Sequence, residues 1–318
     1  SADSAAVQKH FQDALAILKA SKKQSGHGNT QPIHELPWYI IIGPPGSGKT
    51  TALINSGLRF PLADEMGQQP LKGIGGTRNC DWWFSDEAVL VDTAGRYTTQ
   101  DSDESSDSAG WKNFLGLLKK HRPKQPINGA LVTISIVELL QQTEAERQQH
   151  ANRIKSRLTE LYDNLGIQFP VYVLLTKTDL IAGFNEYFDN LSSTDRQQVW
   201  GSTFQTSSNF ESQFDLNGFK TEWDLLLTRL NDRLQWRMIE ERDLSRRALI
   251  LGFPSEVAAL KEMTSQFLDA AFKPSNFNKA VNLRGVYFTS GTQEGTPIDR
   301  VMGSLASNFG LDRQNIPA

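Results

Sequence analysis

Residues 38–57 read WYIIIGPPGSGKTTALINSG. Five apolar residues run into a glycine-rich stretch, and a helix-forming stretch follows, so the segment spells strand, loop and helix. Gly43 to Thr50 fits the spacing G-x-x-x-x-G-K-[ST]. Glycines at those places let backbone N–H groups face an anion with no Cβ in the way. The following helix aims the positive end of its dipole at the same anion. In that geometry Lys49 reaches the β- and γ-phosphates of a nucleotide as a point charge, and Thr50 sets its hydroxyl on Mg²⁺. The expectation is a nucleoside triphosphate cradled by Gly43, Pro44, Pro45, Gly46, Ser47, Gly48, Lys49, Thr50 and Thr51.

Four further segments follow in an order that matters more than any one of them. Asp92-Thr93-Ala94-Gly95 ends an apolar strand at 88–92. An Asp at that end is placed to hold Mg²⁺, directly or through water, and Gly95 to donate its N–H to the γ-phosphate. Thr77, in GIGGTRNC, stands where a threonine can complete the Mg²⁺ shell, on a loop that its glycines free to move. Thr176-Lys177-Thr178-Asp179 ends a strand at 170–176. Its Asp179 is suited to accept two hydrogen bonds from guanine, with Lys177 across the base plane. Ser290-Gly291-Thr292 ends the last strand, where a backbone N–H can meet the base edge. All five segments fall at carboxyl ends of strands or in adjoining loops, where open α/β sheets bind ligands.

The rest of the pattern predicts an α/β fold with a mostly parallel sheet. An amphipathic helix fits 5–20 and a polar linker 21–31. CDWWF and AVLVD flank a short turn at Ser85–Glu87 and read as a hairpin, with Trp82 and Trp83 on opposite faces. Residues 100–109, QDSDESSDSA, read as an exposed acidic loop before a helix at 110–121. Strands fit 129–137 and 170–176, and a helix fits 143–165, ending at Gly166. From 184 to 280 the periodicity is helical, with Ala248–Phe253 readable as a short strand instead. A strand at 285–290 and a helix at 297–307 complete the chain. The expected units are an N-terminal helix and linker (1–35), a nucleotide-binding core (36–183), a helical insertion (184–283) and a return to the core (284–318).

Composition narrows the function classes. The 318 residues carry a net charge of −3 and no global basic field, which argues against nucleic acid as a partner. One cysteine, Cys80, allows no disulfide within the chain and suits a reducing compartment. The five histidines are scattered and none has metal-ligand spacing. No apolar stretch approaches the ~20 residues of a membrane span. The first residue is Ser1 rather than Met, which suggests a piece of something longer.

With GPPGSGKT, Thr77, DTAG, TKTD and SGT in order, the chain resembles a guanine-nucleotide-binding P-loop protein. More specifically, LPWYIIIGPPGSGKTTALINSGLRFPL, GTRNCDWWFSDEAVLVDTAGRY and PINGALVTISIVELL resemble the IcmF/TssM family of type VI secretion inner-membrane proteins. The resemblance implies a three-layer, GTPase-like P-loop NTPase fold with a helical insertion between the TKxD strand and the last strand. It also implies a cytoplasmic domain set between transmembrane helices outside this sequence. The implied partners are a smaller inner-membrane protein, an outer-membrane lipoprotein and the cytoplasmic baseplate. Two departures stand out. Thr176 replaces the Asn of most GTPases, which leaves GTP and ATP both open. Arg96 follows Gly95 where many small GTPases place a water-orienting Gln, so binding is better supported than fast hydrolysis. The expected chemistry is attack of water on the γ-phosphorus, with Lys49 and Mg²⁺, held by Thr50, Thr77 and Asp92, neutralising charge. Arg96 and Arg78 are read equally as transition-state cations or as members of surface salt bridges.

Overall fold

Strand β1 (Trp38–Ile42) sends Trp38, Ile40 and Ile42 into one apolar cluster and Ile41 into another. Successive side chains of a strand point to opposite faces, so β1 is apolar on both sides, as a central parallel strand covered by helices must be. The computed structural model describes residues 36–54, 56, 58, 80–85, 87–93, 104–196, 198–204, 215–274 and 281–290. The helix expected at 5–20, the linker at 21–31 and the helix at 297–307 lie outside these.

After β1 come α1 (Lys49–Ile54), β2 (Cys80–Phe84), β3 (Val89–Thr93), α2 (Glu104–His121), β4 (Gly129–Ser135), α3 (Ile136–Gln141) and α4 (Glu144–Leu165). Then follow β5 (Pro170–Thr176), α5 (Phe184–Phe188), α6 (Ser193–Arg196), β6 (Gly201–Thr203), α7 (Leu216–Glu240), α8 (Leu244–Phe272) and β7 (Asn282–Phe288). The seven strands lie in the order β2-β3-β1-β4-β5-β7-β6. The five inner strands are parallel, and β2 and β6 pair antiparallel at the two edges.

Helices cover both faces. Leu53 of α1 packs with Ile41, Trp83 and Leu90 on one side. On the other, Trp111 and Phe114 of α2, Ile154 and Leu158 of α4, and Phe253 and Val257 of α8 share a cluster with the strands. Trp223 and Leu226 of α7 belong to the same cluster, so the helices between β5 and β7 are built onto the sheet. The expected hairpin is present, with Trp83 buried, while the Trp82 side chain lies outside the described residues. Helix α4 matches its expected span because local chemistry marks both ends. Thr143 and Glu146 form a capping box, and Gly166 ends the helix in the left-handed region at φ 71°.

Five expectations need correction. The acidic stretch read as a loop to 109 contains the first turns of α2, which starts at Glu104. Acidic residues near a helix N-terminus oppose its dipole and favour helix there. Strand β4 stops at Ser135 because that hydroxyl accepts from the Glu138 amide and starts α3. Residues 248–253 are helical within α8 even though Pro254 follows inside the helix. Ile250, Phe253, Val257 and Leu260 are buried at helical spacing, and that packing outweighs the missing proline N–H. The stretch from 184 to 280, where the periodicity is helical, also contributes strand β6. Gly201 is required there, since a Cβ would come within 2.3 Å of Val286 O. The last strand begins at Asn282, three residues before its expected start, and ends at Phe288.

Candidate phosphate loop and base segment

The loop Gly43–Gly48 leaves the carboxyl end of β1 and enters α1 at Lys49. Gly46 and Gly48 sit at φ 74° and 83°, in the region open to glycine at little steric cost. Gly43 is required for space: a Cβ there would lie 2.0 Å from Thr133 Oγ1 and 2.6 Å from Ser47 Oγ. Pro44 and Ser47 are buried, while Pro45 and Gly46 face solvent.

Three hydroxyls hold the loop from below. Ser47 Oγ and Thr133 Oγ1 are 2.8 Å apart. Thr133 Oγ1 donates to Ile42 O at 3.2 Å, and Thr176 Oγ1 donates to Ser47 O at 2.6 Å. Thr93 adds a fourth link by donating to Ile41 O at 2.8 Å. Thr176 was expected at the nucleotide, but its buried side chain serves the loop.

Lys49 is 8% exposed, and its ammonium donates to Gly43 O at 2.8 Å and Pro44 O at 3.1 Å. Burial pulls its pKa below the usual lysine value, and the nearby Asp92 carboxylate partly offsets this. Thr50 Oγ1 donates to Asp92 Oδ2 at 3.4 Å, which joins the start of α1 to the end of β3. Thr51 sits half-buried on the same first turn. A buried ammonium resting on neutral carbonyls, above a loop that a Cβ would block, fits a polyphosphate. The Thr50 hydroxyl and the Asp92 carboxylate are hard oxygen donors that fit Mg²⁺. Among the described residues no group of three or more His, Cys, Asp or Glu is placed to hold a metal. That is compatible with Mg²⁺, which is commonly bound through one or two carboxylates together with substrate phosphates.

The second expected segment comes together two strands away. Lys177 takes φ 61°, uncommon for a residue with a Cβ, and caps a 3₁₀ turn at Thr178–Leu180. Thr178 donates to Thr289 O from its amide at 3.3 Å and its hydroxyl at 2.9 Å, which brings exposed Ser290 beside this turn. Asp179 is 7% exposed, and its Oδ1 has no hydrogen-bond partner among the described residues. A buried carboxylate oxygen needs a donor, so the site suits a ligand with an N–H edge.

Thr77, Gly95, Arg96, Gly291 and Thr292 lie outside the described residues, as does Arg78. Two contributors were missed from sequence. Thr133 had one signal, a polar residue inside the apolar run GALVTISIV. Glu138 on α3 had none. Burial raises its pKa, and Lys177 and Arg153 act against that rise.

A family model described as IcmF-related N-terminal domain matches residues 104–318. Over 312 residues the chain is 53% identical to the type VI secretion system component TssM1 of Pseudomonas aeruginosa, which covers 98% of this chain and 28% of that protein. Among solved structures, the signal recognition particle receptor SRb-GTP/SRX complex from Chaetomium thermophilum aligns with 48% of this chain and 76% of that one, at 19% identity and a TM-score of 0.30. The family match spans well over half of the residues, and the chain belongs to the IcmF-related N-terminal domain family.

Proposed function

We propose that this chain is the nucleotide-binding domain of a type VI secretion membrane-complex protein, taking GTP with Mg²⁺, with ATP as the alternative. The observation that carries the reading is the glycine loop pinned at the end of β1, with buried Lys49 inside it and Asp92 beside Thr50. In this reading the loop amides and Lys49 hold the β- and γ-phosphates, and Lys177, Asp179 and Ser290 meet the base. Mg²⁺, held by Thr50, Asp92 and Thr77, would supply positive charge at the phosphate oxygens. Lys49 and Arg96 would meet charge that builds on the γ-phosphoryl group. Arg96 in place of a water-orienting Gln favours slow turnover or switching, coupled to assembly of the apparatus.

In the same reading the longer protein sits in the inner membrane with this domain on the cytoplasmic side, and the similarity to a type VI secretion component supports a place in the secretion complex. No helix among the described residues is long and apolar enough to cross a membrane. The proposed partners are the smaller inner-membrane protein, the outer-membrane lipoprotein through regions beyond this chain, and the baseplate.

Calorimetry of this chain with non-hydrolysable GTP and ATP analogues plus Mg²⁺ tests the reading. At least one should bind, and Lys49→Ala should abolish that binding. Equal affinity for both would remove the guanine preference, and binding of neither would end the proposal.

A second reading, a docking module whose nucleotide is a static ligand, has its own support. Trp236, Ile239 and Leu244 are 68%, 68% and 79% exposed where α7 meets α8. Buried Arg237 ties this corner to Tyr187 O and Glu186 O, just beyond the base segment. Secretion that is unchanged by Lys49→Ala but lost on Trp236→Ala with Leu244→Ala would favour this second reading.

A further inference from the structure

Ser47 occupies a position that the G-x-x-x-x-G-K-[ST] spacing leaves open, yet neither Ser47 nor Thr133 has any solvent exposure. A hydroxyl carries one proton. Ile42 O can only accept, so the Thr133 proton points to it at 3.2 Å, and Ser47 donates to Thr133 across 2.8 Å. The bonds therefore run one way, from the loop through β4 to the last residue of β1. Thr176 holds the Ser47 carbonyl from β5 at 2.6 Å, so Ser47 is fixed at both its side chain and its backbone. The Thr133 and Ser47 oxygens also occupy the space that Gly43 leaves by lacking a Cβ.

We propose that Thr133 is a positioning residue for the phosphate loop, holding Ser47 so that the amides from Gly46 to Lys49 are arranged for a polyphosphate before one arrives. The inference rests on the reading of this loop as a nucleotide site. It assigns a role to a residue outside the five nucleotide segments. Valine has nearly the same shape as threonine but no hydroxyl, so Thr133→Val leaves the Ser47 hydroxyl buried without its acceptor. That penalty is relieved by the loop shifting. Serine at 133 keeps the acceptor.

The test uses this chain with fluorescent GTP and ATP analogues for affinity, and hydrogen exchange of the nucleotide-free protein for the loop. Thr133→Val should weaken binding about tenfold and Ser47→Ala about threefold. The double variant should be no worse than Thr133→Val, because one shared bond is removed. Both single variants should speed exchange at Gly46–Lys49, and Thr133→Ser should bring binding and exchange back towards the original. Additive losses in the double variant, or unchanged exchange in both single variants, would overturn the proposal. So would Thr133→Ser behaving like Thr133→Val. If Thr133→Val does not fold, exchange in Ser47→Ala decides. If the unaltered chain binds no nucleotide while the variants still loosen the loop, the nucleotide reading fails and the positioning role stands.

Discussion

His150 makes this fold sensitive to acid, by an amount that follows from its surroundings. It lies on α4, 5% exposed, with its ring edge-on to Phe267 of α8 at 5.1 Å. Neither ring nitrogen has a hydrogen-bond partner among the described residues. Burial, and then the charge of Arg153, lower its pKa from 6.5 to about 4. The folded state therefore holds the neutral ring, while the unfolded chain takes up a proton at about 6.5. Stability from this group is fully present above pH 6.5 and is lost as the pH falls towards 4. At pH 5 the unfolded histidine is mostly charged and the folded one mostly neutral, which costs about 2 kcal/mol relative to pH 8. Urea denaturation at pH 8 and pH 5, followed by circular dichroism, measures it. His150→Leu should remove about 2 kcal/mol of the loss between those two values. If the variant and the unaltered chain lose stability in parallel, the ring is not held neutral and the reasoning fails.

Gly43→Ala should abolish nucleotide binding and lower the melting temperature, because its Cβ would meet Thr133 Oγ1 at 2.0 Å and Thr133 O at 2.9 Å. Gly46→Ala, with open space but φ 74°, should cost only about 1 kcal/mol, and thermal melts of the two separate crowding from backbone strain. Arg237→Met removes the donor to Tyr187 O, Glu186 O and Asp189, and should destabilise the chain by about 3 kcal/mol in urea titration. Asp179→Ala should weaken GTP binding in competition assays and leave ATP binding unchanged; equal loss of both would mean the carboxylate does not read the base.

The parts legible in sequence are those whose physics is local. WYIII and PVYVLLT are apolar on both faces, so they had to be inner strands. Thr143, Glu146 and Gly166 mark a helix through contacts within four residues. The glycine loop was readable because its backbone angles and its freedom from Cβ atoms depend on residue type at fixed spacing. Composition misled at Glu104, where acidic residues suit a helix start as well as a loop. Pairing that joins distant parts of the chain left no such trace. Strand β6 exists because Gly201 lets it lie against Tyr287. The Ser47–Thr133 contact spans 86 positions, and the Thr176–Ser47 contact spans 129. A hydroxyl in an apolar run indicates that a partner is needed, but the partner is chosen by sheet order and register. Sequence alone therefore determined that a loop suited to phosphate follows β1 and enters a helix. Only the tertiary structure decided what holds it, because the ends of β4 and β5 meet that loop only once the parallel sheet has formed.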